Sequence, residues 1–278
     1  GWAESSHTPS GVNFATQTGT PYGRHGKPHR DKLTSQKNWT ISGDNLDLAC
    51  SIGLITPDVY VSEWDMSKLV YPPRPDAATS LMTNFLGTNF VVEYINLADP
   101  TDKGIVTNAN GTIGSPFKLT GLRANAKYRV VAYSTTNNHG YELSGLCAEK
   151  ADNQRLTKVT QWGTTKWTSL TKAFFSCYNM DITATDKPDL SVVTDLSYMF
   201  DLCGSLVYNT SIGDWNVSHI TNMTFMFAVA TEFNQPLNNW DVSHVTNMSG
   251  MFSGATSFNQ PIGNWNTGSV TNMIAMFF

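Results

Sequence analysis

The strongest constraint on this chain is a translational repeat. The segment from Trp215 reads WNVSHITNMTFMFAVATEFNQPLNN, that from Trp240 reads WDVSHVTNMSGMFSGATSFNQPIGN, and that from Trp265 reads WNTGSVTNMIAMFF, so the tryptophans are 25 residues apart. Leu196, Met199 and Phe200 precede Met223, Met226 and Phe227 by 27 residues, and Leu170 and Phe174 precede their counterparts by 26. A unit of this size cannot bury its apolar side alone, and stacking successive units does so. The spacing predicts five units, the first near Trp167 and the fifth incomplete.

Within a unit, Ile220-Thr221-Asn222-Met223 alternates apolar and polar, which suits a short strand with one buried face. Met223, Met226 and Phe227 follow at i, i+3 and i+4, which suits one turn of helix. Pro236, Asn238 and Asn239 supply turn chemistry before the next tryptophan. If the strands pair side by side, equivalent residues lie ~4.8 Å apart. Internal columns then run Leu196/Met223/Met248/Met273, Met199/Met226/Met251/Met276 and Phe200/Phe227/Phe252/Phe277.

NWDVSHVTNMSGMFSGATSFNQPIGNW resembles the BspA-like, leucine-rich-repeat-related surface-protein repeat. QWGTTKWTSLTKAFFSCYNMDITATDKPDL resembles that family's first unit, so the likeness covers about residues 155–278. It implies a right-handed solenoid on exposed proteins of bacteria, protists and some viruses, used for adhesion and protein–protein contact without catalysis. The departures are His219 and His244, where the family has Asn or Ser, and the end at Phe278.

Four cysteines without CxxC spacing argue against zinc. Cys177 and Cys203 each lie three residues after a repeat phenylalanine and so stack in neighbouring units. They form either a bridge or two small core thiols at a position that becomes Ala230 and Ala255. His219 and His244 also stack, but the next unit offers Ser269, which leaves a metal or pH-sensing role without a third ligand. No cofactor is expected.

Residues 46–150 read as β: Phe90–Ile95, Phe117–Leu119 and Tyr128–Ala132 are rich in β-branched and aromatic residues between Asn/Gly/Pro clusters. The stretch from Leu119 to Ala132 resembles the fibronectin type III motif, which implies a sandwich in which Tyr128 bonds back to the loop before it and Trp64 is the early-strand tryptophan. Cys50 and Cys147 flank this segment and could join its first and last strands. Residues 1–45 hold few aliphatics and a basic cluster, Arg24, Lys27, Arg30 and Lys32, and cannot bury enough apolar area to offset their ordering entropy. They are expected to form an extended arm, either a linker or a docking strap anchored through Trp2, Phe14, Tyr22 and Trp39. The third segment, 151–278, is the repeat array. The expected fold class is therefore mainly β with short helical turns.

Charge narrows the function. The chain carries 18 cationic and 22 acidic side chains, a net charge of −4, and only 14% of its residues are charged. Residues 151–278 hold 5 cations against 9 acids, with no Lys or Arg after Lys187. A duplex-binding surface needs cations to displace counterions, so the repeat half is not a nucleic-acid binder. Apolar runs fall far short of the ~18–20 residues that span a bilayer. No secretory signal is visible, although one already removed would leave the same sequence. GxSxG, GxxxxGK[ST] and HExxH are absent, and no nucleophile–base pair stands out.

The expectation is a non-enzymatic, extracellular or cell-surface adhesion or assembly protein. Its partners would be further copies of itself, a host-surface protein or a glycan. The repeat finishes in mid-unit on Met276-Phe277-Phe278: either a longer array is cut there, or its open apolar end is covered by another copy in head-to-tail filaments, with the arm of one copy along the acidic array of the next. The alternatives are a phage fibre or decoration protein, and a glycan-binding module using the Trp215/Trp240/Trp265 column, which core packing explains equally well.

Overall fold

The computed structural model describes residues 14–15, 41–42, 59–134, 143–148, 151–207 and 211–278. The chain divides into two compact units, Gly1–Thr56 and Pro57–Phe278. In the first, strand β1 (Phe14–Ala15) pairs in parallel with β2 (Ile41–Ser42). The basic cluster Arg24, Lys27, Arg30 and Lys32, together with Trp2 and Cys50, lies outside the described residues.

The second unit opens with β3 (Tyr60–Asp65), β4 (Ser80–Met82), β5 (Phe85–Asn96), β6 (Lys103–Gly111), β7 (Lys118–Thr120), β8 (Lys127–Tyr133) and β9 (Leu143–Leu146), then β10 (Leu156–Gln161) and β11 (Asp181–Ile182). Seven strands form a mixed sheet in the order β11-β10-β3-β8-β5-β6, with β9 also on β5; β4 and β7 pair separately. Only β10 and β11 run parallel in the large sheet. Helix among the described residues is limited to the 3-10 turns Asn153–Arg155 and Ile212–Asp214. The fold is mainly β.

Alternation along the central strands sets the inner face of this sheet. Tyr60 and Trp64 of β3, Phe90 and Val92 of β5, and Tyr128, Val130 and Ala132 of β8 all enter the core. Register brings Trp64 opposite Tyr128, and Ala132 opposite both Tyr60 and Val92. The sheet does not stop at residue 150: β10 pairs with β3, and Leu156, Val159 and Trp162 join the same apolar cluster as the repeat phenylalanines. Tyr60 and Trp162 each meet Trp167 edge to face where sheet and repeats join, Tyr60 lies tilted against Trp162, and Trp215 packs on Trp162 at 5.3 Å.

A buried arginine shapes the connection between β3 and β4. Arg155 is 4% exposed and donates to the carbonyls of Met66, Lys68, Ala77 and Ser80. Both ends of the 66–80 loop are thus held by one guanidinium, whose charge faces Asp152 at 3.6 Å. Arg74 bonds the same carboxylate at 2.6 Å.

Beyond Trp162 the chain climbs in rungs. Alternate N–H groups of one rung donate to carbonyls of the next: Met223 to Asn247, Phe225 to Ser249, Phe227 to Met251 and Val229 to Ser253, at 2.7–2.9 Å. Parallel bridges join Asp195 to Asn222, Asn222 to Asn247 and Asn247 to Asn272. Phe174, Phe200, Phe227, Phe252 and Phe277 stack at 5.5–5.7 Å, nearly coplanar.

The expected helical turn is corrected. Met226 N–H bonds the Met223 carbonyl and Ala230 N–H that of Phe227, closing two successive β-turns. The third residue of each is left-handed, Phe225 at φ 53° and Val229 at φ 52°. The same pair recurs at Lys172/Ser176, Tyr198/Leu202 and Gly250/Gly254. Apolar residues at i, i+3 and i+4 therefore arise from consecutive turns that point the same way, and only one rung carries the glycines that such a backbone favours.

Candidate binding surface of the stacked rungs

Each rung turns its large side chains inward. Leu196, Met199, Phe200, Met223, Met226, Phe227, Met248, Met251 and Phe252 are buried, and Met276 is 8% exposed. Two residues expected in the core are not: Met273 is 42% and Phe277 62% exposed. They lie on the last described rung, where Phe277 stacks on Phe252 of the rung before it. Phe278, expected to contact a partner, is 92% exposed.

The tryptophan column is interior. Trp215, Trp240 and Trp265 are 3%, 3% and 9% exposed, and the indole N–H of Trp240 donates to the Ile212 carbonyl and that of Trp265 to Leu237. The core explanation holds for this column, and its ring faces are not open to a sugar.

What faces water is a file of small polar side chains. Thr168, Thr194, Thr221, Thr246 and Thr271 occupy the same place in five rungs, and all are exposed. The hydroxyls of Thr221, Thr246 and Thr271 each donate to the carbonyl of the threonine one rung back, at 3.1–3.2 Å. That bond fixes the hydroxyl and leaves its oxygen outward as an acceptor.

Beside this file runs the Asp195/Asn222/Asn247/Asn272 column, in which every Oδ1 accepts the N–H two residues on. A second such turn opens the rungs, at Asp189, Asn216, Asp241 and Asn266. These are Asx turns, in which the side chain takes the place of a backbone carbonyl. Bonds from Ser191 and Ser243 hold the Asp189 and Asp241 carboxyls below the usual carboxylate range. Asp189, Asp195 and Asp241 are thus committed to turn geometry.

Asp201 differs. It is 9% exposed, and burial pushes its carboxyl up to about 6, against the opposing bond from the Leu202 N–H.

The histidines do not converge on a ligand. His219 Nε2 lies 2.7 Å from the Leu190 carbonyl, to which its N–H donates, and Nδ1 faces the Ser218 hydroxyl. His244 is exposed beside Ser243. Among the described residues no group of three His, Cys, Asp or Glu side chains could hold a metal, and no helix is long and apolar enough to cross a membrane.

Cys177 and Cys203 are buried in neighbouring rungs, and both are free thiols in this structure. The Cys203 thiol donates to the Phe174 carbonyl at 3.0 Å, and burial raises both thiols well above their ordinary range. Cys147 is 4% exposed; the pairing considered for it with Cys50 lies outside the described residues.

Sequence reasoning missed the Arg155 clamp. An isolated arginine carries no pattern when its partners are backbone carbonyls, which any sequence supplies. Tyr128, by contrast, was marked by its motif, and its hydroxyl accepts the Arg123 backbone N–H at 2.9 Å.

Against this geometry, the comparisons give one finding. Residues 150–278 match the family described as "Mycoplasma protein of unknown function, DUF285". No match arises with curated proteins or with solved structures. The resemblances to BspA-like repeats and to fibronectin type III are corrected accordingly, since neither family is found. The physical reason is that Met/Phe columns and Asx turns follow from stacking a short repeat, and a tyrosine bonded to its preceding loop follows from closing a β connection. Neither feature belongs to one family alone. The C-terminal part of the chain, residues 150–278, is similar to that Mycoplasma family.

Proposed function

We propose that the rungs form a short solenoid with a binding wall, and that the chain is a non-enzymatic adhesion or assembly protein of the cell exterior. The observation that carries this reading is the five-rung threonine file. It is a translationally repeated row of hydroxyls, three of them held rung to rung, flanked by carboxylates and amides committed to turns. Such a wall recognises by shape and hydrogen bonding over an extended area, and it needs no reactive group. The scarcity of cations steers it toward uncharged or basic partner surfaces.

Protease shaving of intact source cells tests the location: peptides from 57–278 among those released first support it, and their release only after lysis contradicts it. Binding of the labelled full chain to immobilised matrix proteins and to cell-surface polysaccharide tests the role. The reading expects saturable binding that T221K/T246K weakens at least tenfold with an unchanged melting temperature. Binding that ignores this substitution places the partner elsewhere.

A further inference from the structure

Cys177 and Cys203 occupy one position in two neighbouring rungs. The register is fixed by Phe174 N–H to Met199 and Ser176 N–H to Asp201, both 2.9 Å, and by the stacked rings of Phe174 and Phe200 three residues earlier. Equivalent residues of paired strands lie ~4.8 Å apart, inside the Cα separation of ~4.4–6.8 Å that a disulfide bridges. The Cys203 sulfur already reaches back one rung, lying against the Phe174 carbonyl and the Cys177 backbone N–H. Later rungs place Ala230 and Ala255 at this position, both buried. The column therefore asks only for a small side chain, and cysteine at two adjacent rungs adds a capacity that packing does not require.

We propose that Cys177 and Cys203 are a disulfide site, closed by a small-molecule disulfide such as glutathione disulfide, that staples the two rungs next to the sheet. One cysteine, as thiolate, attacks a sulfur of glutathione disulfide, forming a mixed disulfide and releasing one glutathione thiolate. The second attacks the cysteine sulfur of that mixed disulfide, forming the Cys177–Cys203 bond and releasing the other glutathione. The two cysteines lose two electrons and two protons; glutathione disulfide takes up both electrons, and the protons pass to the glutathione thiolates or to buffer. Burial keeps both sulfurs from reagents in the closed rungs, so the exchange runs during folding or on local opening.

The test is refolding of the full chain in a glutathione redox buffer, followed by digestion N-terminal to aspartate without reduction. This digestion puts the four cysteines on separate peptides, with Cys177 on 152–180 and Cys203 on 201–213. The expected result is a cross-linked 152–180/201–213 pair that reduction separates. The oxidised chain should also melt about 5 °C above the reduced one, by restriction of the unfolded state. C177A and C203A, which install the residue of the later rungs, should fold and should each abolish the oxidised–reduced difference. Folded, oxidant-treated chain in which both thiols remain, or in which either cysteine pairs with Cys50 or Cys147, overturns the proposal.

Discussion

The sheet and the rungs share one apolar core and differ in what fixes their shape. In the sheet half, polar side chains make long-range contacts: Arg155 holds four carbonyls of a distant loop, and Arg74 reaches Asp152 across 78 residues of sequence. In the rungs, side-chain bonds are mostly to the residue two positions on or to the next rung, and apolar columns do the rest. Irregular connections need unique fasteners. A repeat can reuse one small set of contacts, so its specificity lies in register rather than in any single residue.

The largest expected effect tests the column. F227A removes a buried ring stacked on Phe200, Phe252 and Phe233, and should destabilise the second unit by ~3–5 kcal/mol. Denaturant unfolding checks this, and because the core is continuous, sheet and rung probes should shift together. R155M addresses the other side of the comparison. It removes the guanidinium that donates to four carbonyls and leaves Asp152 paired with Arg74 alone, at an expected cost of ~3 kcal/mol, with limited proteolysis newly cutting within 66–80. An equal loss of protection in the rungs would erase the distinction drawn between the halves.

The third prediction concerns pH. Asp201 sits at about 6 in the folded chain, above its unfolded value of about 3.9. The folded state therefore holds more protons between these values, and stability falls as pH rises through about 4 to 6. D201N should stabilise the chain by about 1 kcal/mol at pH 7.5, after allowing for partial solvation of the group, and the gain should vanish below pH 4. Melting curves of both proteins across this range decide it. The smallest effect is V229G. A β-branched residue at φ 52° is strained, and relief of that strain outweighs glycine's entropy by about 0.5 kcal/mol. The reverse change, G250A, should destabilise, since a Cβ there would collide with the Phe225 ring.

These cases show what the sequence could carry. Columns were legible because a 25-residue period aligns Met223 with Met248 and Phe227 with Phe252 whatever the local backbone does. The backbone was misread as helical because two left-handed turns mimic the i, i+3, i+4 pattern. Phe225 and Val229 hide the signal that Gly250 and Gly254 display. The tryptophans could be read as ligand platform or as core, since both uses favour the same residue; burial decides for core. Extension of the sheet past residue 150 was hidden because β10 and β11 are short strands within the repeat composition. For the candidate wall, exposed threonines give no periodic apolar signal and emerge only once the rungs are aligned.

The central claim is that equivalent residues of successive rungs lie one strand spacing apart. Pulsed electron paramagnetic resonance on spin-labelled T168C/T271C, with the four native cysteines replaced by alanine, measures this over four rung spacings. Stacked rungs at ~4.8 Å each give a single narrow distance distribution near 20 Å. A broad distribution, or one centred well beyond 30 Å, would contradict the stack, its interior columns and the wall built upon them.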